Sequence, residues 1–149
     1  MRSTKFALLA LLAIACGKQE KTPDAMPAAM APAFSLADAA GTWTYVAKSM
    51  TGDTVLVTAE LTASADPAAW TLLLPDRPVM PLMVTVSGDS VMTAVAEYES
   101  VLMKGVKVTT NGVMRMVDGK LVGTMLAHYS NVATADSVRH LMIEATRKP

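Results

Sequence analysis

The residue with the clearest chemical potential is the chain's only cysteine, Cys16. It follows Phe6 to Ala15 (FALLALLAIA), a run without a charge, which is itself preceded by Arg2 and Lys5. Ten helical residues span roughly 15 Å, half of a bilayer core of about 30 Å, so the run reads as a signal-peptide segment and not as a membrane span. Small residues, Ala13-Ile14-Ala15, then lead into Cys16-Gly17. Elsewhere reactive chemistry is sparse. Met80-Pro81-Leu82-Met83 has the spacing of soft-metal sites, and His128 and His140 are the two histidines. No His-x-His and no second cysteine accompanies them, and methionine also fills irregular gaps in cores. Neither a metal site nor any other cofactor is expected. Gly88-Asp89-Ser90 fits a tight turn and lacks the strand–turn–helix setting of a serine nucleophile. Glu97 and Glu99 flank Tyr98 on one strand face, a pattern of solvent-facing carboxylates more than of an acid/base pair. There is no phosphate-cradling glycine loop and no His-Glu-x-x-His, so the chain is not expected to be an enzyme.

The run from Ala13 to Gly17 resembles the lipobox of bacterial lipoproteins. Ala15 and Cys16 match at the cleavage point, while Ala13 stands where that family usually has Leu. The resemblance implies cleavage before Cys16 and acylation of the new N-terminal cysteine, and multiple chains anchor far more firmly than one. Gly17, in place of an Asp, favours an outer-membrane address. The competing reading is an ordinary signal peptide cut near Ala15 that leaves a free thiol.

With 149 residues, 13 basic against 13 acidic, the chain has room for one ordinary domain and shows no basic surplus for nucleic acid. Removing residues 1–15 leaves 11 basic against 13 acidic residues, so no strong electrostatic partner is implied. One cysteine excludes an internal disulfide. Gly17 to Ala33 holds three prolines and no aromatic residue, and reads as a tether. The expected organisation is a signal segment over 1–15, anchor and tether over 16–34, and a domain over 35–149. At its start, Ser35 and Asp38 predict a capped helical turn.

After Gly41 the text breaks into short alternating segments rich in Val and Thr, separated by turn residues. Eight strands are predicted, over 42–50, 54–63, 69–74, 79–86, 90–99, 106–117, 120–129 and 137–146. Asp118-Gly119 is the strongest hairpin signal. Short connections imply consecutive antiparallel pairing, and no long return segment suggests a Greek key. The expected fold class is therefore all-β, an eight-stranded antiparallel up-and-down barrel. Thr54, Thr58, Glu60 and Thr62 share one face of the second strand, against a lipid-facing barrel wall.

The first strand opens Gly41-Thr42-Trp43. A Gly-x-Trp in this place is similar to the short motif of lipocalins and their barrel relatives, which include avidins and some bacterial barrel-shaped protease inhibitors. In that group a basic residue of the last strand often packs across the tryptophan, a role the resemblance gives to Arg147. Gly41, Trp43 and Arg147 are thus the expected barrel-closing set, with a cation–π contact of roughly 0.5–2 kcal/mol. Parity places Trp43, Tyr45, Val55, Val57, Ala59, Leu61, Trp70, Leu72, Leu74, Leu82, Val84, Met92, Ala94, Ala96 and Tyr98 inside. It adds Val108, Thr110, Met114, Met116, Leu121, Gly123, Met125, Ala127, Tyr129, Leu141 and Ile143 from the later strands. Such a barrel is filled by side chains or holds one small ligand. The expected function is that of a lipid-anchored envelope protein binding a small apolar or amphipathic ligand, with Tyr45, Trp70, Tyr98, Thr110, Met114, Met125 and Tyr129 as candidate ligand contacts. The alternative is a protein-interaction or protease-inhibitor-like module with a solid core.

Overall fold

Alternation of apolar and polar residues at period two produces strands along nearly the whole domain. The structure, a computed structural model, describes residues 32–149. The expected signal segment, Cys16 and the tether as far as Ala31 lie outside the described residues. One helical turn, α1 (Leu36–Ala39), precedes nine strands: β1 (Gly41–Ser49), β2 (Val55–Ala63), β3 (Thr71–Leu73), β4 (Met80–Pro81), β5 (Met83–Ser87), β6 (Ser90–Glu99), β7 (Lys107–Val117), β8 (Lys120–Tyr129) and β9 (Val138–Arg147). The Ser35 hydroxyl accepts from the Asp38 N–H at 3.1 Å and so caps α1.

All neighbours pair antiparallel in a single sheet of order β4-β3-β2-β1-β9-β8-β7-β6-β5. The sheet curls into a nearly closed barrel. The pairing of β1 with β9, from Trp43 opposite Arg147 to Ser49 opposite Leu141, joins the two ends of the chain.

Nine strands stand where eight are expected because the predicted fourth strand breaks in two. Met80 and Pro81 pair with Leu72 and Thr71 of β3, and from Met83 onward the chain pairs with β6 instead. Pro81 has no N–H to give a ladder. At the switch the Leu82 N–H donates to the Trp70 carbonyl at 2.9 Å. One kinked segment therefore belongs to both edges of the sheet, and the barrel closes by covalent continuity there instead of by a full ladder.

Two bulges correct the predicted inner face. Ala96 and Glu97 together oppose one residue of β7, since Val95 pairs with Thr110 and Tyr98 with Val108. An extra residue flips the phase of a strand. Val91 and Val95 are buried in the core and Thr93 lines the cavity, whereas Met92 is exposed and Ala94 and Ala96 belong to the opposite phase. Tyr98, beyond the bulge, does face inward. Leu56 is the second extra residue, because Ala47 pairs with Val57 and Lys48 with Val55, and Val55 is turned outward and exposed.

The core runs the length of the barrel. Trp43, Trp70, Leu121 and Ala145 are fully buried toward one end, and α1 covers that end with Ala39. Phe34 is also buried, and its N–H donates to the Gly88 carbonyl at the β5–β6 turn at 2.8 Å. This is the closed end. The opposite, open end carries the connections β1–β2, β3–β4, β6–β7 and β8–β9.

Candidate functional site in the barrel

At the closed end, Trp43 is held from both sides. Its indole N–H donates to the Ala39 carbonyl at 2.9 Å, tying β1 to α1. The Arg147 guanidinium lies over the ring, with Cζ 4.2 Å from the centroid. Arg147 also donates through Nη2 to the Asp38 carbonyl at 2.6 Å and through Nη1 to the Ala40 carbonyl. These carbonyls belong to the end of α1, which has no helical partner for them. Gly41 makes the arrangement possible: its φ is +141°, and a Cβ there would lie 2.5 Å from Arg147 Nη1. The glycine, the tryptophan and the arginine thus form one latch across α1, β1 and β9.

The interior is nearly full. Tyr45, Tyr98, Thr110, Met114 and Met125 surround a cavity of about 30 Å³ together with Thr93, Val95, Gly112 and apolar residues of β2, β3 and β5's approach. That is room for about two water molecules, against roughly 300–1,000 Å³ for a small-molecule pocket. Two other candidate contacts lie elsewhere. Trp70 is buried toward the closed end and donates its indole N–H to the Ser64 carbonyl at 2.7 Å. Tyr129 lines a separate cavity of about 20 Å³ nearer the open end.

The β6–β7 connection closes that mouth. Ser100 is buried, and its hydroxyl accepts from the N–H groups of Leu102 (3.0 Å) and Met103 (3.1 Å). The Ser100 N–H donates to the Val106 carbonyl at 2.8 Å. Met103, Val106 and Val132 then pack over Val108, Ala127 and Tyr129. Sequence reasoning did not single out Thr93, Gly112 or Ser100. Gly112, a glycine inside a strand, carried a signal, because such a residue often marks close approach. The other two carried none beyond their hydroxyls.

Every buried side-chain nitrogen or oxygen among the described residues has a hydrogen-bond partner. The weakest of these partnerships is the Tyr45 hydroxyl, which donates to the thioether sulfur of Met125 at 3.4 Å. Burial, and secondarily the neighbouring Tyr98, pushes the Tyr45 pKa well above the ordinary phenol value. Burial raises Tyr98 as well, opposed by its hydrogen bond to Thr110. A raised phenol pKa favours the neutral form in the fold. That stability is complete below the unfolded value of about 10 and is lost as pH climbs toward the folded value. Tyrosinate absorbance is therefore expected to show no Tyr45 step at about pH 11 while the barrel stays folded, with Tyr45→Phe as the reference. A Tyr45 step near the ordinary value would mean that water enters the barrel freely.

The remaining chemical candidates disperse. Met80 packs on the core while Met83 points outward, so the two sulfurs do not share a face. His128 pairs with Val138 and His140 with Leu126, both on the exposed outer wall. No group of three or more His, Cys, Asp or Glu that could hold a metal ion occurs among the described residues. Ser90 donates to Asp89 at 2.8 Å within the β5–β6 turn. The chain matches no known protein family, no curated protein and no solved structure.

Proposed function

We propose that this chain is a lipid-anchored cell-envelope protein in which a lipocalin-like barrel with a filled core supports open-end loops that bind a protein partner. The observation that carries the reading is the open end itself. Each connection there exposes an apolar side chain on or beside it: Met50 (49%), Val79 (57%), Val101 (40%) and Val138 (42%). Apolar anchors on a rigid frame are what a protein interface needs, and a filled barrel supplies the frame. The Gly-x-Trp latch supports the lipocalin-like assignment. The sequence around Cys16 supports the anchor, and Phe34 enters the barrel at its closed end, opposite the loops.

Two experiments test this. Cys16→Ala is expected to abolish acylation, read by mass, and to move the protein from the membrane to the soluble fraction. Unchanged membrane retention would refute the anchor. A photo-crosslinking residue placed at Val79 or Val101 of the anchored chain is expected to give one discrete adduct, absent from the Thr58 position on β2. The adduct is expected to disappear in a Val79→Asp, Val101→Asp variant. Its absence from both open-end positions would refute the partner reading.

One observation favours a second reading, a small ligand in the barrel. The Tyr45 hydroxyl, buried, has only a thioether acceptor, and the methionines beside it can change rotamer. A ligand with one hydrogen-bond acceptor would exchange that weak contact for a stronger one. Native mass spectrometry of the protein as purified distinguishes the readings, since a bound small molecule belongs to the second alone.

A further inference from the structure

The barrel wall is divided by charge. Ion pairs stud the outside of β1, β2, β8 and β9, where Glu144 accepts from Lys120 at 3.0 Å and Lys48 at 3.4 Å, and Lys148 meets Glu60. The two ammonium groups hold the Glu144 carboxyl below its usual range, chiefly through the Lys120 hydrogen bond. The opposite flank carries ion pairs only at its two ends, Lys107 with Glu97 at 3.1 Å and Arg115 with Asp89 at 3.9 Å. From Met83 to Ser87, Ser90 to Ala96 and Val108 to Met114 there is not one ionisable side chain.

The uncharged middle of that flank is also apolar and exposed. Met83 is 63% exposed, Val113 45% and Met92 40%. The register sets them side by side: Met92 faces Val113 across β6–β7, and Met83 faces Ala94 across β5–β6. Thr85 and Asn111 complete the band. Contiguous exposed apolar surface on a folded domain marks a contact site.

The chain itself indicates what covers it. Phe34 is fixed to Gly88, in the turn between β5 and β6, and Pro32 and Ala33 lie beside Asp89 and the outward-facing Arg115. The preceding segment therefore joins the barrel on this flank. The Met92–Val113 row is two strand residues past the Ser87–Ser90 pair and the Met83 row four, that is about 7 and 14 Å. Residues 17–31, even fully extended, reach at most about 54 Å, so an anchored barrel stays within that distance of the bilayer.

We infer that the β5–β7 flank is the membrane-facing side of the protein, its methionine and valine side chains resting in the headgroup–acyl boundary. The occupant is a lipid surface, recognised by apolar burial between the two ends of the flank, where the carboxylates of Asp89 and Glu97 are each paired with a cation. The ionic flank then faces water, and the open-end loops stay free. The inference rests on the anchor reading for its biological setting, but its geometry is tested apart from acylation.

The test uses the chain from residue 16 onward as Cys16→Ser with an N-terminal hexahistidine, seated by nickel-chelating lipid on phosphatidylethanolamine–phosphatidylglycerol vesicles. Met83→Cys or Thr58→Cys then carries the only thiol, labelled with an environment-sensitive dye. On vesicles the dye at residue 83 is expected to shift to the blue and to lose about threefold in iodide quenching, with residue 58 unchanged. Equal quenching at the two positions overturns the assignment. Protection of residue 83 that grows with protein density also overturns it, since the flank then meets a second copy. Failure of the anchor is read separately, as missing acyl mass on the unaltered chain.

Discussion

Trp43→Ala is expected to destabilise the domain by about 4 kcal/mol, within the range for removing a fully buried large aromatic side chain. Three losses coincide there. Trp43 is 0% exposed, so its removal leaves a cavity in the closed end that surrounding strands cannot collapse to fill. The Ala39 carbonyl loses its donor, and the end of α1 loses its tie to β1. Arg147 loses the ring beneath its guanidinium. In thermal unfolding this corresponds to a drop of roughly 15 °C for a domain of this size. Arg147→Ala removes only the last contact and the bonds to Asp38 and Ala40, and is expected to cost about 1–2 kcal/mol. The two costs do not add: a double-mutant cycle is expected to show about 1 kcal/mol of coupling. A loss below about 1 kcal/mol for Trp43→Ala would remove the closed end from its place as the barrel's stability centre.

That latch was the most legible part of the molecule. Gly41-Thr42-Trp43 and Arg147 stand far apart in sequence, but antiparallel closure by consecutive pairing brings the first and last strands together, and the register sets Trp43 opposite Arg147. The alternation in β1, β3, β7, β8 and β9 carried their inward residues correctly, because in those strands no residue is inserted. What the sequence concealed were single-residue events. The bulge at Ala96 and Glu97 is settled by the curvature of β6 against β7, a tertiary demand that leaves no local mark. Counting backward from Tyr98 without it turned Met92 inward, when Met92 belongs to the exposed flank. The break at Leu82 was half legible, since Pro81 advertises a missing ladder bond, but which neighbour each half would choose is a property of the closed sheet. The cavity was illegible in principle. Its volume is a small difference between the space enclosed by nine strands and the side chains that fill it, and Gly123 brings β7 and β8 close together.

Gly123 makes that last point testable, and with a sign. It faces Met114 across the β7–β8 ladder. A Cβ there would sit 2.8 Å from both the Met114 Cα and the Val113 carbonyl carbon, and nearer still to the Val113 oxygen. The obstacle is backbone on the neighbouring strand. A side chain in the way can change rotamer, but here β8 must move off β7 and give up ladder hydrogen bonds in the middle of the sheet. Gly123→Ala is therefore expected to cost about 3 kcal/mol or more, at the upper end for overpacking. The comparison is Gly52→Ala, in the β1–β2 turn, where a Cβ meets nothing within 4 Å. There the substitution only reduces the freedom of the unfolded chain, and a gain of about 0.4–1 kcal/mol is expected. Chemical denaturation of the two variants under one set of conditions decides the matter. Opposite signs fit strands drawn together at Gly123. Near-neutral behaviour of Gly123→Ala would mean that β7 and β8 have slack between them, and the interior would then have to be read as expandable and open to a ligand.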